Sequence, residues 1–189
     1  MYVLCYILGC YDVVSQYLPK LFPFLFELAR NEQALIRSIS CWTMSRYFRW
    51  VIDNSQNNEE LFQTLLRTLL NCVLDTNKKV QEVACSVFAT LEEEAGARLE
   101  PYVEAILDNL MCAFGRYQVR NMSILCDTIA CLADAVTAQL NKPQYVEKLL
   151  PALLGRWEAL PPDDKTLLPL LECLTSVAQA LGPGQHAYS

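Results

Sequence analysis

The stretch Lys78–Gly96, KKVQEVACSVFATLEEEAG, decides the fold of this chain. Its apolar residues recur every three to four positions and form one stripe along a helix: Val80, Val83, Ala84, Val87, Leu91 and Ala95. A second stripe of the same period holds no large apolar residue: Glu82, Ser86, Thr90 and Glu93. Asp75 and Asn77 precede the helix as candidate N-caps, and Gly96 follows it as a candidate C-cap. The pattern predicts a helix with one buried face and one polar face.

The same two-helix pattern recurs along the chain. First helices are predicted to begin near residues 17, 59, 99 and 144, and second helices near 33, 78, 118 and 163. This period of about 40–45 residues falls in the range of helical-pair repeats of the HEAT/armadillo type, and no segment shows strand alternation. The sequence therefore predicts an all-α fold, a HEAT-repeat superhelical solenoid of antiparallel helix pairs.

The predicted units follow from the same spacing. They are a remnant of a preceding repeat's helix at residues 1–16, four repeats at residues 17–53, 59–96, 99–141 and 144–181, and a flexible tail at residues 182–189. The longer helices are predicted to be continuous, among them Ala34–Ile52, Pro101–Phe114 and Gln118–Leu140.

Net charge, cysteine content and the length of apolar runs limit the kinds of partner and the cellular setting that the chain is suited to. The formal net charge of −6 argues against nucleic acid, because phosphate-backbone binding needs a basic face. It suits a basic protein or peptide partner, and equally a protein with no basic partner. The nine cysteines include no CxxC pair and mostly lie in apolar helical stripes, which indicates reduced thiols in the cytosol or nucleus. No run of about 18 apolar residues predicts a membrane span.

Catalysis is not predicted. The only histidine, His186, lies in the tail, so no His base stands beside a nucleophile and no zinc ligand set forms. No phosphate-cradling glycine loop occurs either. The run Glu92–Glu94 is predicted to be a solvated helix end. We therefore expect no enzyme activity, no metal and no cofactor. We expect the protein to function through binding at its surface.

The second helices of such an array line its concave side, so residues off their apolar stripes are the candidate binding residues. Helical spacing selects Ile39, Trp42, Arg46, Thr90, Glu93, Asp127 and Asp134. An aromatic patch followed by acids suits an extended basic peptide with apolar anchors. Two alternatives stay open: Trp42 belongs to the core, and the two aspartates are solvated acids without a ligand. The other large aromatic residues considered are assigned to packing: Tyr47, Trp50, Phe88, Phe114 and Trp157.

Four stretches resemble a known family: SISCWTMSRY (Ser38–Tyr47), NKKVQEVACSVFATLEEEA (Asn77–Ala95), NMSILCDTIACLADAV (Asn121–Val136) and LLPLLECLTSVAQAL (Leu167–Leu181). They are similar to the transportin family, karyopherin-β/importin-β-type nuclear import receptors for proline-tyrosine (PY) nuclear localisation signals. The resemblance implies a middle-to-C-terminal piece of such a receptor, working in cytoplasm and nucleus. It implies PY-type signal peptides of cargo proteins as partners, with neither nucleic acid nor membrane.

The resemblance also implies roles for the selected residues. Ile39 and Trp42 match the apolar anchor pocket of the cargo-signal site, with Arg46 beside them. Thr90 and Glu93 match polar contacts one repeat further on. The acids that receive the basic and arginine-containing parts of the signal match Asp127 and Asp134.

The family's Ran-type GTPase site and its acidic loop lie N-terminal to the matched region, so Ran-dependent release is not expected of this chain alone. Two alternatives to an import receptor remain, a HEAT scaffold of another class and a truncated fragment without function of its own.

Overall fold

A computed structural model of the chain describes residues 14–54 and 59–182. Throughout these ranges the regular structure is helical, which confirms the predicted all-α solenoid of helix pairs. The α-helices are α1 (Leu18–Leu28), α2 (Ala34–Ser45), α3 (Phe48–Asn54), α4 (Glu59–Val73), α5 (Lys78–Ala95), α6 (Val103–Arg116), α7 (Val119–Val136), α8 (Pro143–Ala159) and α9 (Leu167–Leu181). Short 3₁₀ segments at Gly96–Tyr102 and Thr137–Leu140 lead into α6 and α8. Most of the predicted remnant helix and tail lies outside the described residues.

The helices form two layers. We call α2, α5, α7 and α9 the inner layer, and α1, α4, α6 and α8 the outer layer. Neighbours within the inner layer are in closer contact than neighbours within the outer layer. The array therefore bends with the inner layer on its concave side, where the second helices are expected.

One continuous apolar core runs between the layers, from Leu18 in α1 to Val177 in α9. Its largest fully buried side chains are aromatic: Phe22, Phe48, Phe62 and Phe88. The predicted apolar stripe of α5 lies in this core, with Val80, Ala84, Val87 and Leu91 buried. Trp50 packs as predicted, because its ring stacks on Phe22 with centroids 5.7 Å apart.

Of the predicted caps of α5, Asn77 and Gly96 are present, whereas Asp75 lies outside the helix and accepts a hydrogen bond from the backbone N–H of Asn77 at 2.8 Å. The Asn77 side chain accepts a hydrogen bond from the backbone N–H of Lys79 at 2.9 Å and a longer one from Val80. Gly96 ends the helix with φ +51° and ψ −130°, a conformation in which a Cβ is disfavoured. Thr137 ends α7 with nearly the same angles, φ +44° and ψ −126°, although it carries a branched side chain.

Three predicted helices are wrong in extent. The predicted helix Ala34–Ile52 is two helices, because the Ser45 hydroxyl donates to the Trp42 carbonyl at 2.8 Å. The N–H of Arg46, which would take that carbonyl in an α-helix, donates to Thr43 instead.

The other two differ at their ends. The helix predicted from Pro101 begins at Val103, since Pro101 belongs to the preceding 3₁₀ segment. The helix predicted to reach Leu140 ends at Val136, because the positive φ of Thr137 breaks it.

Two burial assignments are also wrong. Trp157, assigned to packing, is 46% exposed on α8. Glu92, assigned to a solvated helix end, is fully buried, because it follows Phe88 by one helical turn at the edge of the apolar stripe.

One described stretch, Val119–Leu140, is long and apolar enough to cross a membrane by length and composition alone. It contains α7, which packs between α5 and α9 in the inner layer. Packing within the solenoid accounts for its apolar character.

Candidate peptide-binding surface on the inner layer

A groove between α2 and α5 brings two of the predicted stripes together. It has a volume of about 360 Å³ and is lined by Trp42, Ser45, Arg46, Ser86, Val87, Thr90 and Glu94. Trp42 is 55% exposed, so it is not a core residue. The Arg46 guanidinium lies 5.8 Å from the centroid of its ring, within cation–π distance. Ile39, one turn earlier on α2, is 53% exposed.

The α5 side of this groove is polar and acidic. The Thr90 hydroxyl donates to the Ser86 carbonyl at 3.1 Å. Glu94, which the sequence analysis did not select, lines the groove, whereas the selected Glu93 is exposed beside it. Burial raises the pKa of the Glu94 carboxyl, and the positive charge of Arg49 partly opposes that rise. The acid that meets Trp42 and Arg46 across the groove is thus Glu94.

Asp127 and Asp134 are both exposed on α7, and neither lines the groove that contains Trp42. Asp134 lines a separate groove of about 470 Å³ against the end of α9. Partial burial raises the pKa of Asp127, and the negative charge of Glu172 on α9 adds to the rise. Glu172 is therefore a further acid of this region that the sequence analysis missed.

The acids make one negative region along α5 and α7. Burial and then the charges of Glu92, Glu93, Asp134 and Asp127 raise the pKa of Cys131 to about 11. Of these five residues Glu92 is buried and Cys131 is half-buried, and the carboxylates of Glu93, Asp127 and Asp134 are exposed. An uncompensated row of exposed acids next to an aromatic groove can attract a cationic chain and hold an apolar side chain in it.

Helical spacing identified Trp42, Arg46 and Thr90 because residues separated by four or seven positions lie on the same face of a helix. It missed Glu94 because adjacent helix positions differ by about 100° and the sequence does not say which of Glu93 and Glu94 faces α2. Within the described residues, no three His, Cys, Asp or Glu side chains cluster as a metal site would require.

No protein-family model matches the chain. Its fold is that of the karyopherins. The crystal structure of a Kap121p mutant superposes with a TM-score of 0.76 at 21% identity, covering 93% of this chain and 17% of the other. Kap121p bound to the extreme C-terminus of the protein phosphatase Cdc14p gives a TM-score of 0.75 at 21% identity, covering 92% and 17%.

Sequence similarity is closer to one branch of these receptors. The chain is 51% identical over 178 residues to transportin-1 of Oryza sativa subsp. japonica and 51% identical over 180 residues to transportin-1 of Homo sapiens, over 93% and 95% of this chain. It is 47% identical to importin subunit beta-2 of Schizosaccharomyces pombe over 93% of its length. The resemblance to transportin is confirmed, and the chain is a homologue of part of these receptors. It spans about a fifth of their length, 20% in each case.

Proposed function

We propose that this chain is a segment of a nuclear import receptor that binds basic, PY-type nuclear localisation signals of cargo proteins on its inner layer. The observation that carries the proposal is the groove in which Trp42 of α2 and Arg46, directly after α2, meet Thr90 and Glu94 of α5. The groove can hold one apolar side chain of a ligand, and the row of exposed acids lies beside it. A basic signal that also contains an aromatic or aliphatic residue requires this combination.

The homologues support the same role. They are named as transportins and importin subunits, which are transport receptors, and none of those given above is named as an enzyme. The Kap121p structure above holds the extreme C-terminus of another protein, so a karyopherin of this fold does bind a terminal segment of a partner. A receptor of this kind works in both cytoplasm and nucleus. Neither a cofactor nor Ran-type GTPase control is part of the activity proposed for this chain alone.

Titration of the chain with a fluorescent basic PY-type signal peptide tests the proposal. Trp42→Ala should weaken binding about 30-fold or more, because truncating a buried aromatic anchor costs about 2 kcal/mol or more. Asp127→Ala should weaken it by up to about fivefold, the effect of one exposed charge pair. Rising salt should weaken binding by the native protein as well.

Trp157→Ala is the matched control, because it removes an exposed tryptophan of the outer layer. Its affinity for the peptide should equal that of the native protein. Absence of binding by the intact, folded chain would overturn the proposal. Equal affinity of native protein and folded Trp42→Ala would instead favour a HEAT scaffold of another class that holds partners by its edges or convex face. Poor solubility and no saturable binding would indicate a fragment without function of its own.

A further inference from the structure

A small cavity on the edge of the solenoid concentrates positive charge in this acidic protein. It has a volume of about 140 Å³ and lies where the turn before α7 meets the start of α5. The residues that line it are Thr76, Lys78, Gln81, Arg116, Gln118, Arg120 and Asn121. Three of them are cations and none is a carboxylate, although the chain as a whole has a net charge of −6.

One repeat earlier, the corresponding place is neutralised within the protein. Arg37 of α2 donates from Nε to Oδ2 of Asp75 at 2.7 Å and from Nη2 to Oδ1 at 2.8 Å. Both side chains are largely buried, so this bidentate pair joins two successive repeats. Asp75 lies two residues before the N-cap of α5, and Arg116 lies two residues before the N-cap of α7.

At the interface between α5 and α7, Arg116 therefore occupies the position that Asp75 occupies at the interface between α2 and α5. Its partner position is also changed, because Gln81 stands in α5 at the same distance from the N-cap as Arg37 in α2. Gln81 donates from Nε2 to the backbone carbonyl of Asp75 at 2.6 Å. Both oxygens of Asp75 are already engaged by Arg37, so this carboxylate does not neutralise Arg116.

The three cations have no internal counter-ion. None of Lys78, Arg116 and Arg120 forms an ion pair anywhere in residues 14–54 and 59–182. Their backbone is nevertheless held in place. Asn121, which is buried, donates from Nδ2 to the carbonyl of Lys78 at 2.8 Å and to Oε1 of Gln81 at 3.0 Å, and so ties the two segments together.

We propose that this cavity binds a phosphate-class oxyanion, the phosphoryl group of a phosphoserine or phosphothreonine in a partner protein. Two guanidinium groups and one ammonium group complement a doubly charged phosphate better than a singly charged carboxylate, and guanidinium binds phosphate bidentately. The N-cap residue of α7, Gln118, makes no side-chain cap, and although the N–H of Asn121 donates to the Gln118 carbonyl, the earlier N–H groups of this turn have no capping side chain that would compete with an anion. The site is separate from the inner-layer groove.

The test titrates the full chain with three probes at constant ionic strength: inorganic phosphate, a short phosphoserine peptide and the same peptide without phosphate. Amide resonances of the cavity residues report binding. Both phosphate probes should shift them, and Arg116→Gln should weaken binding about tenfold, the effect of losing one charge-assisted pair. Arg67→Gln is the matched control, because Arg67 is an exposed arginine outside the cavity, and its affinity should stay native.

The outcomes distinguish two questions: whether the cavity binds phosphate, and whether that phosphate belongs to a phosphoprotein or is free in solution. Tighter binding of the phosphopeptide than of inorganic phosphate supports a phosphoprotein partner. Equal binding of the two contradicts that source and assigns the cavity to free phosphate. The site itself is overturned if chloride at matched ionic strength gives the same shifts, or if folded Arg116→Gln binds phosphate as tightly as the native chain.

Discussion

The carboxyl of Glu92 lies inside the protein, and neither of its oxygens accepts a hydrogen bond from any residue in the described ranges. Burial first, and then the neighbouring charge of Glu93, raises its pKa well above the usual range. The folded protein therefore keeps a proton on Glu92 at pH values where an unfolded chain, with a glutamate pKa of about 4.3, has lost it. The contribution of Glu92 to stability therefore falls as pH rises above about 4.3, until the folded-state pKa is passed.

Replacing Glu92 by glutamine should flatten this pH dependence. We expect the free energy of unfolding of Glu92→Gln to exceed that of the native protein at pH 8 by about 1 kcal/mol or more, because a buried charge costs more than a buried neutral amide. At pH 5 the difference should shrink. Urea unfolding at the two pH values measures both.

Glu60→Gln is the control for the loss of one carboxylate, since Glu60 is exposed on α4 and its charge does not contribute to the raised pKa of Glu92. A pH profile of Glu92→Gln that follows the native profile would show that Glu92 does not carry the effect.

At the scale of the helix, local side-chain hydrogen bonds decide where helices begin and end. The Asn77 side chain starts α5 by accepting hydrogen bonds from backbone N–H groups of its first turn. The Ser45 hydroxyl ends α2 by donating a hydrogen bond to the backbone carbonyl of Trp42. Asn77 could be predicted from sequence, because asparagine before an apolar periodic segment is a common N-cap. The Ser45 break could not, because a serine hydroxyl inside a helix can as well face solvent.

Loss of the Asn77 cap should destabilise the protein measurably. We expect Asn77→Ala to lower the free energy of unfolding by about 1 kcal/mol, the usual cost of an N-cap removed, since the N–H of Lys79 loses its acceptor. Chemical denaturation with circular dichroism detection measures the change. Asn77→Asp keeps an acceptor oxygen and should stay close to native stability; an equal loss in both variants would contradict the capping role.

The sites show the same limit of sequence reasoning. The stripe of Trp42 and Arg46 follows from helical period alone, and the structure places both in one groove with Thr90. Glu94 and Glu172 could not be selected, because their roles depend on which neighbouring helix they face. The burial of Glu92 could be predicted from the sequence, since Glu92 lies one helical turn after Phe88, a residue assigned to the core.

At the scale of the whole molecule, the described residues form a stack in which the main contacts join each repeat to its neighbours. Cross-repeat hydrogen bonds join residues 38–44 positions apart: the Arg37–Asp75 pair, Tyr117 to the carbonyl of Val73, and Asn121 to that of Lys78. In a stack of this kind stability is approximately a sum of repeat and nearest-neighbour terms, so damage should stay local.

Hydrogen exchange on a variant of α9 tests this locality. Val177 is fully buried in α9, and Val177→Ala should lower protection in α9 and in its neighbour α7. Protection in α2 and α4 should stay native, as read by native-state exchange with mass spectrometry. Thr175→Ala, an exposed change on the same helix, is the control. A uniform loss across all helices would contradict local coupling and indicate one cooperative unit.

The turn after α7 carries a consequence for the evolution of this protein. Thr137 holds nearly the backbone conformation that Gly96 holds after α5, and for a residue with a Cβ such a sparsely populated conformation costs about 1–3 kcal/mol. Selection for stability alone would favour glycine over threonine at this position. Descendants that retain threonine there would be under some other constraint, which makes this corner of the solenoid an informative position at which to follow lineage divergence.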